Sequence, residues 1–210
     1  MKVLLLNGSP KENGNTSIAL AEMVKVFEKN GIETEVICVG KETISGCKAC
    51  LGCRKLGKCV IDDIVNVVAD KLKESDGMVV ASPVYYGSAN GALISLLDRL
   101  FYSCSFDLKM KVGASVVVAR RGGCSATYDE LNKYFTISGM PVCPSQYWNS
   151  VHGMTPGDAN EDEEGLQTMR TLANNMSFLI KSIALGKAEY GVPDLGEQRK
   201  VTNFIKSDVY

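Results

Sequence analysis

Four cysteines crowd into one short stretch of this chain: Cys47, Cys50 and Cys53, with two residues between neighbours, and then Cys59 after a gap of five. Thiols at that spacing can wrap a small centre while the fourth closes its coordination, which is the compact arrangement of iron–sulfur ligands. A zinc site more usually pairs two C-x-x-C units a dozen or more residues apart. Three readings stay open, in falling order: a [4Fe–4S] cluster, free or redox-exchanging thiols, and zinc. Lys48, Arg54, Lys55 and Lys58 stand among the thiols. They can offset cluster charge, attract an acidic partner or a nucleotide phosphate, or simply keep an exposed loop in solution. Cys38, Cys104, Cys124 and Cys143 are dispersed and read as small core hydrophobes.

A second stretch with chemical potential runs from Asn7 to Ser17, between an apolar run at Val3–Leu6 and a helical pattern from Ile18 to Phe27. Hydroxyls from Ser9, Thr16 and Ser17, the Lys11 ammonium and the open N–H groups of a helix start favour a compact anion, most simply a phosphate. It is not a Walker A loop. Five residues rather than four separate Gly8 from Gly14, and Asn15 stands where the lysine belongs. The dinucleotide fingerprint G-x-G-x-x-G is also missing. What remains suits a phosphate monoester; the plain alternative is an ordinary capped helix start that binds nothing.

Two more loops lie where a flat ring would rest. Pro83-Val84-Tyr85-Tyr86-Gly87-Ser88 offers aromatic faces and backbone that Gly87 lets a ligand approach, although either tyrosine can equally pack on a neighbouring loop or subunit. Arg120-Arg121-Gly122-Gly123-Cys124-Ser125 opens another helix, whose N–H groups and one arginine can stabilise negative charge on a reduced ring. Its alternative is a helix cap with solvated arginines. His152, the single histidine, has no partner in sequence and reads as a supporting loop residue, with Trp148 as packing. The acidic run from Asp158 to Glu164 reads as a solvated helix start matched to the dipole.

These loops require a scaffold that ends strand after strand along one edge. Apolar periodicity places strands at Val3–Leu6, Glu33–Val39, Gly77–Ser82 and Val112–Ala119, with a fifth near Met140–Cys143. Helices fall between them: from Asp62 or Asp63, over Ala92–Tyr102, Ser125–Phe135 and Glu161–Leu185. The alternation predicts an α/β fold with a doubly wound five-stranded parallel sheet, which binds ligands beyond the carboxyl ends of its strands. Residues 1–185 are expected to form one domain, with the cysteine-rich loop at 40–60, and 186–210 a polar C-terminal extension with a second subunit as one place to lie. At 210 residues and a net charge of −1, the chain carries no general field for nucleic acid or an anionic membrane. No apolar run approaches the ~18 residues of a spanning helix, and the N-terminal run is too short for a signal peptide. The cytoplasm is the expected compartment.

Asn-Gly-Ser-Pro-Lys…Gly-Asn-Thr at 7–16, Ser-Pro-Val-Tyr-Tyr-Gly-Ser at 82–88, Ala-Arg-Arg-Gly-Gly at 119–123 and Tyr-Trp-Asn-Ser-Val-His-Gly at 147–153 together resemble the NADPH-dependent FMN reductase family of flavodoxin-like proteins. Within that family, Cys47, Cys50, Cys53 and Cys59 followed by Val60-Ile61-Asp62-Asp63 are similar to the iron–sulfur flavoproteins. The resemblance implies that Ser9, Lys11, Asn15, Thr16 and Ser17 hold the phosphate of FMN. It implies that Pro83, Val84, Tyr85, Tyr86 and Gly87, with Arg120, Arg121, Gly122 and Gly123, border the isoalloxazine. It further implies a [4Fe–4S] cluster on the four clustered cysteines, and a homodimer or homotetramer with FMN near the subunit interface.

The expected activity is that of an FMN-dependent NAD(P)H oxidoreductase. Electrons would pass from nicotinamide through FMN to a quinone, an azo or nitro compound, a flavin or a protein acceptor. The flavin carries the hard chemistry, so no catalytic acid or base is expected among the side chains. The alternative is an electron carrier using FMN and a [4Fe–4S] cluster between ferredoxin-like partners; a flavin-binding regulatory or scaffold protein is the third reading.

Overall fold

The computed structural model describes residues 1–194, 196–198 and 200–202. Its strands are β1 (Lys2–Asn7), β2 (Glu33–Cys38), β3 (Gly77–Pro83), β4 (Val112–Ala119) and β5 (Ser150–His152). Its helices are α1 (Asn15–Lys29), α2 (Cys53–Leu56), α3 (Ile64–Glu74), α4 (Gly91–Ser103), α5 (Cys124–Ile137) and α6 (Glu163–Tyr190), with a 3-10 turn at Asp158–Glu161. The strands form one parallel sheet in the order β2-β1-β3-β4-β5, the doubly wound order of flavodoxin-like folds.

Alternation along the strands sorts side chains to two faces. Val3, Leu5, Val79, Ala81, Val116 and Val118 meet α1 and α6 through Phe27, Met169, Leu172 and Met176. Leu4, Leu6, Met78, Val80 and Val117 meet α3, α4 and α5 through Leu72, Leu93, Leu97, Leu100 and Phe135. With both faces covered, β1, β3 and β4 read as continuous apolar runs. Gly113 is fixed by this packing, since a Cβ there would stand 2.5 Å from the Phe135 ring.

The expected fifth strand needs correction. The segment near Met140–Cys143 makes only an isolated bridge from Val142 to Gly113, and β5 lies later, where Ser150–His152 pairs with Val117–Ala119. The two pieces form one interrupted edge. Pro141 and Pro144 supply no N–H to a ladder, and the chain loops out before Asn149 rejoins β4 by accepting from the Val117 amide at 2.9 Å. The last helix also runs five residues beyond Leu185, to Tyr190, so the proposed tail begins inside it; residues 195, 199 and 203–210 lie outside the described ones. Among the described residues no helix is long and apolar enough to cross a membrane.

Candidate functional site

The carboxyl ends of β1, β3 and β4 open onto a cleft of about 220 Å³. Ser9, Lys11, Gly14, Asn15 and Thr16 line one part of it, Pro83, Val84 and Tyr85 another, with Val118, Ala119 and Arg120 from the end of β4 and Gly153, Met154 and Pro156 closing the side. At the start of α1, Gly14 holds the N-cap position and no side chain caps the helix. Its positive end is therefore left to whatever occupies the cleft. Lys11 and Arg120 are the two cations on the walls, no carboxylate lines them, and neither cation enters an ion pair among the described residues.

Local hydrogen bonds give the phosphate-type loop its shape. The Ser9 amide donates to Asn7 Oδ1 at 2.9 Å, and the Lys11 amide donates to Ser9 Oγ at 3.1 Å. Gly40 packs so closely behind this loop that a Cβ would fall 2.2 Å from the Ser9 carbonyl carbon. Asn15 turns away to a distant segment: its Nδ2 donates to the Thr155 carbonyl at 3.0 Å, and its Oδ1 accepts from the Gly157 and Ala159 amides at 3.2 Å each. Ser17 Oγ accepts from Asn7 Nδ2 at 3.0 Å and donates to the Glu12 carbonyl. That hydroxyl is engaged with the loop's own framework and does not line the cleft.

The second loop is held from α5. Ser88 Oγ donates to the Glu130 carboxylate, 2.9 Å from Oε2, and the Ala89 amide donates to the same oxygen at 3.0 Å. Tyr85 and Ser88 exchange backbone hydrogen bonds, which turns Tyr86 outward, fully exposed and at φ 53°. Gly123 sits at φ 90°, and a Cβ there would come within 2.9 Å of Val84 and 3.0 Å of Gly87, so the second and third loops pack backbone to backbone. Of the residues expected around a ring, the cleft walls include Pro83, Val84, Tyr85 and Arg120; Tyr86, Gly87, Arg121, Gly122 and Gly123 are not among them. Gly153, Met154 and Pro156 are wall residues that sequence reasoning missed, because nothing local ties them to β1.

The cysteines form a separate site. Cys47, Cys50, Cys53 and Cys59 all line one cavity of about 30 Å³, with Leu51, Val60, Ile61 and three residues of α4, Arg99, Tyr102 and Ser103. All four are free thiols. Among the described residues no three His, Cys, Asp or Glu side chains converge closely enough to hold a metal ion. Thiols converging on one point suit a single ion. A [4Fe–4S] cluster sets each cysteine on a different iron, so its donors stand apart around a shared centre. Four cysteine thiols on one cavity are the donor type that such a cluster takes.

Arg99 is the residue this cavity adds to the sequence reading. Its side chain is 1% exposed. It pairs with Asp63 through Nη1 to Oδ2 at 2.7 Å and Nη2 to Oδ1 at 2.9 Å, and it donates from both Nε and Nη2 to Cys59 Sγ at 3.3 Å. The Ile61 and Ser45 carbonyls accept from it at 3.1 and 3.3 Å. Its hydrogen bond to Asp63 works to raise the Arg99 pKa further. Burial works to raise that of Asp63, but the Arg99 hydrogen bonds and charge, with the Val65 amide, hold the carboxyl below its ordinary value.

His152 acquires partners the sequence could not name. Its Nδ1 lies 3.5 Å from Asp162 Oδ2 and its Nε2 3.9 Å from Cys124 Sγ. Asp162 also caps α6, accepting from the Gly165 amide at 2.9 Å, and Asp158 accepts from the Met154 and Thr155 amides at 2.9 and 2.8 Å. Asp158 and Asp162 are thus spent on a turn and a cap, while Glu161, Glu163 and Glu164 are exposed. Among the dispersed cysteines, burial pushes Cys104 and Cys143 up to about 12 each, whereas Cys38 is exposed.

Comparison with known proteins agrees with this geometry. The signature of the NADPH-dependent FMN reductase family matches residues 1–155. An iron-sulfur flavoprotein of Methanocaldococcus jannaschii is 35% identical over 191 residues, covering 87% of this chain and 99% of its own. Among solved structures, RosB with bound 8-demethyl-8-formylriboflavin-5'-phosphate superposes with a TM-score of 0.71 at 18% identity, covering 100% of this chain and 94% of its own. An archaeal flavodoxin gives 0.59 at 16%, covering 86% and 99%. The fold, the cleft at the strand ends and the full-length match to such relatives place the chain in the NADPH-dependent FMN reductase family, alongside the iron-sulfur flavoproteins.

Proposed function

We propose that the cleft holds FMN and that the protein is an FMN-dependent NAD(P)H oxidoreductase passing electrons to a quinone, an azo or nitro compound, a flavin or a protein acceptor. The observation that carries this reading is the division of the cleft: an uncapped helix start with Ser9, Lys11 and Thr16 in one part, apolar Pro83, Val84, Val118 and Met154 in another, and two cations, Lys11 and Arg120, with no ion-pair partner among the described residues. Ser9, Lys11, Thr16 and the amides of α1 would hold the phosphate, with Asn15 and Ser17 bracing the loop from behind. Val84, Tyr85 and Met154 would shield the ring from water, and Arg120 would favour negative charge on it. Bound there, FMN supplies hydride acceptance from a nicotinamide and release of electrons to an acceptor. The exposed Tyr85, Tyr86, Tyr147 and Trp148 support a homodimer or homotetramer that completes the mouth of the site.

The cysteine cavity favours a second reading, in which Cys47, Cys50, Cys53 and Cys59 hold a [4Fe–4S] cluster and the protein moves electrons between ferredoxin-like partners. Anaerobic titration of apoprotein with FMN, followed by flavin fluorescence, tests the first. One FMN per chain is expected, with Lys11→Ala binding about tenfold weaker, or ~1.4 kcal/mol. Failure of the wild type to bind would overturn it. Rapid NADPH oxidation by FMN-loaded, iron-free protein would favour the reductase over the carrier.

A further inference from the structure

The four thiols of the cavity are not equivalent. Cys47 and Cys50 are exposed, and Cys53 Sγ makes one long contact, 3.9 Å from the Tyr102 carbonyl. Cys59 Sγ alone receives two N–H groups, both from a guanidinium that is itself withdrawn from water. Nη1 gives its two N–H groups to Asp63 Oδ2 and the Ser45 carbonyl, and Nη2 shares its two among Cys59 Sγ, Asp63 Oδ1 and the Ile61 carbonyl. The single Nε–H is committed to sulfur. A neutral thiol is a weak acceptor, so a buried arginine aiming its fork at one is poorly matched; a thiolate carrying charge suits it far better.

We infer that Arg99 is a positioning residue for the cysteine centre: it fixes Cys59 Sγ at the inner corner of the cavity and raises the reduction potential of a cluster held there. The inference rests on the cluster reading proposed above. N–H groups directed at a cluster sulfur withdraw charge from it and favour the reduced, more negative state. Asp63 serves as the counter-charge that keeps the guanidinium in place, and α4 fixes the backbone from which it projects. The exposed corners at Cys47 and Cys50 have no such donor among the described residues, so the inner corner carries the tuning.

The test uses anaerobically purified holoprotein, assayed for iron and titrated with dithionite as the electron donor while the cluster EPR signal and the flavin absorbance are followed. Arg99→Lys keeps the charge beside Asp63 but loses the fork that reaches Cys59. The expected result is about four irons per chain in both proteins, as a [4Fe–4S] centre requires, with the cluster midpoint lowered in Arg99→Lys and the flavin midpoint unchanged. Equal cluster midpoints, with iron retained, would overturn the role of Arg99 and leave the cluster reading standing. Iron-free wild-type protein would instead bring down the cluster reading, and the inference with it. If Arg99→Lys does not fold, the same question is put to Arg54→Lys protein labelled with guanidino-15N arginine. A 15N hyperfine coupling on the reduced cluster is expected, and its absence would overturn the inference.

Discussion

Asp63 serves two elements at once, capping α3 by accepting from the Val65 amide at 3.1 Å and receiving Arg99 through both carboxylate oxygens. Its carboxyl lies below its ordinary value when folded, so the stabilisation it provides is full above the unfolded pKa of about 3.9 and disappears as pH falls through the folded value. Asp63→Asn leaves a buried guanidinium without its counter-charge, at a cost of about 3 kcal/mol. The expected outcome is a lower Tm at neutral pH, with a shallower further decline below about pH 4 than in the wild type, measured by circular dichroism. Residues of this kind divide by what the sequence can reveal. A helix start at Asp62 or Asp63 was legible because a cap acts on amides two or three residues away, and the structure places the cap on Asp63. Arg99 was hidden among Leu93, Leu96, Leu97 and Leu100, because its partners lie 36 and 40 positions upstream.

Elements were legible where both faces of a strand or one face of a helix are buried, since burial writes the period into the chain. The strand Val112–Ala119 was read with its observed bounds. The edge strand was misplaced because Met140–Cys143 has the composition of a strand, whereas the paired residues Ser150–His152 offer only three positions and one buried side chain. The loop after β3 depends likewise on a contact no local pattern displays, the Glu130 carboxylate on α5. Glu130→Ala removes two hydrogen bonds to a charged acceptor, each worth about 1.5–3 kcal/mol at most. It should loosen residues 85–89 without unfolding the sheet. FMN affinity is expected to fall about tenfold, or ~1.4 kcal/mol, read by fluorescence titration, while the far-ultraviolet circular dichroism stays unchanged.

Across the whole molecule, α4 joins the two sites. Asn90 caps it beside the second loop, accepting from the Ala92 and Leu93 amides at 2.8 and 3.3 Å, and Arg99 projects from it about 13 Å further along its axis, at 1.5 Å per residue. Tyr86, next in the chain to the cleft residue Tyr85, is fully exposed on a strained φ, a conformation that a partner subunit would help to hold. Sedimentation of wild-type protein is expected to give a dimer or tetramer, and Tyr86→Asp to shift it toward monomer; a monomeric wild type would count against that assembly.

Asn15 fastens the opening loop to Thr155, Gly157 and Ala159, and Gly153, Met154 and Pro156 close one side of the cleft. A nascent chain that has left the ribosome only as far as α5 already owns the amides of α1, but has nothing to shut them in. It presents an open shelf in place of a recess. On the reading proposed above, flavin capture is therefore expected to follow the synthesis of this closing segment rather than precede it.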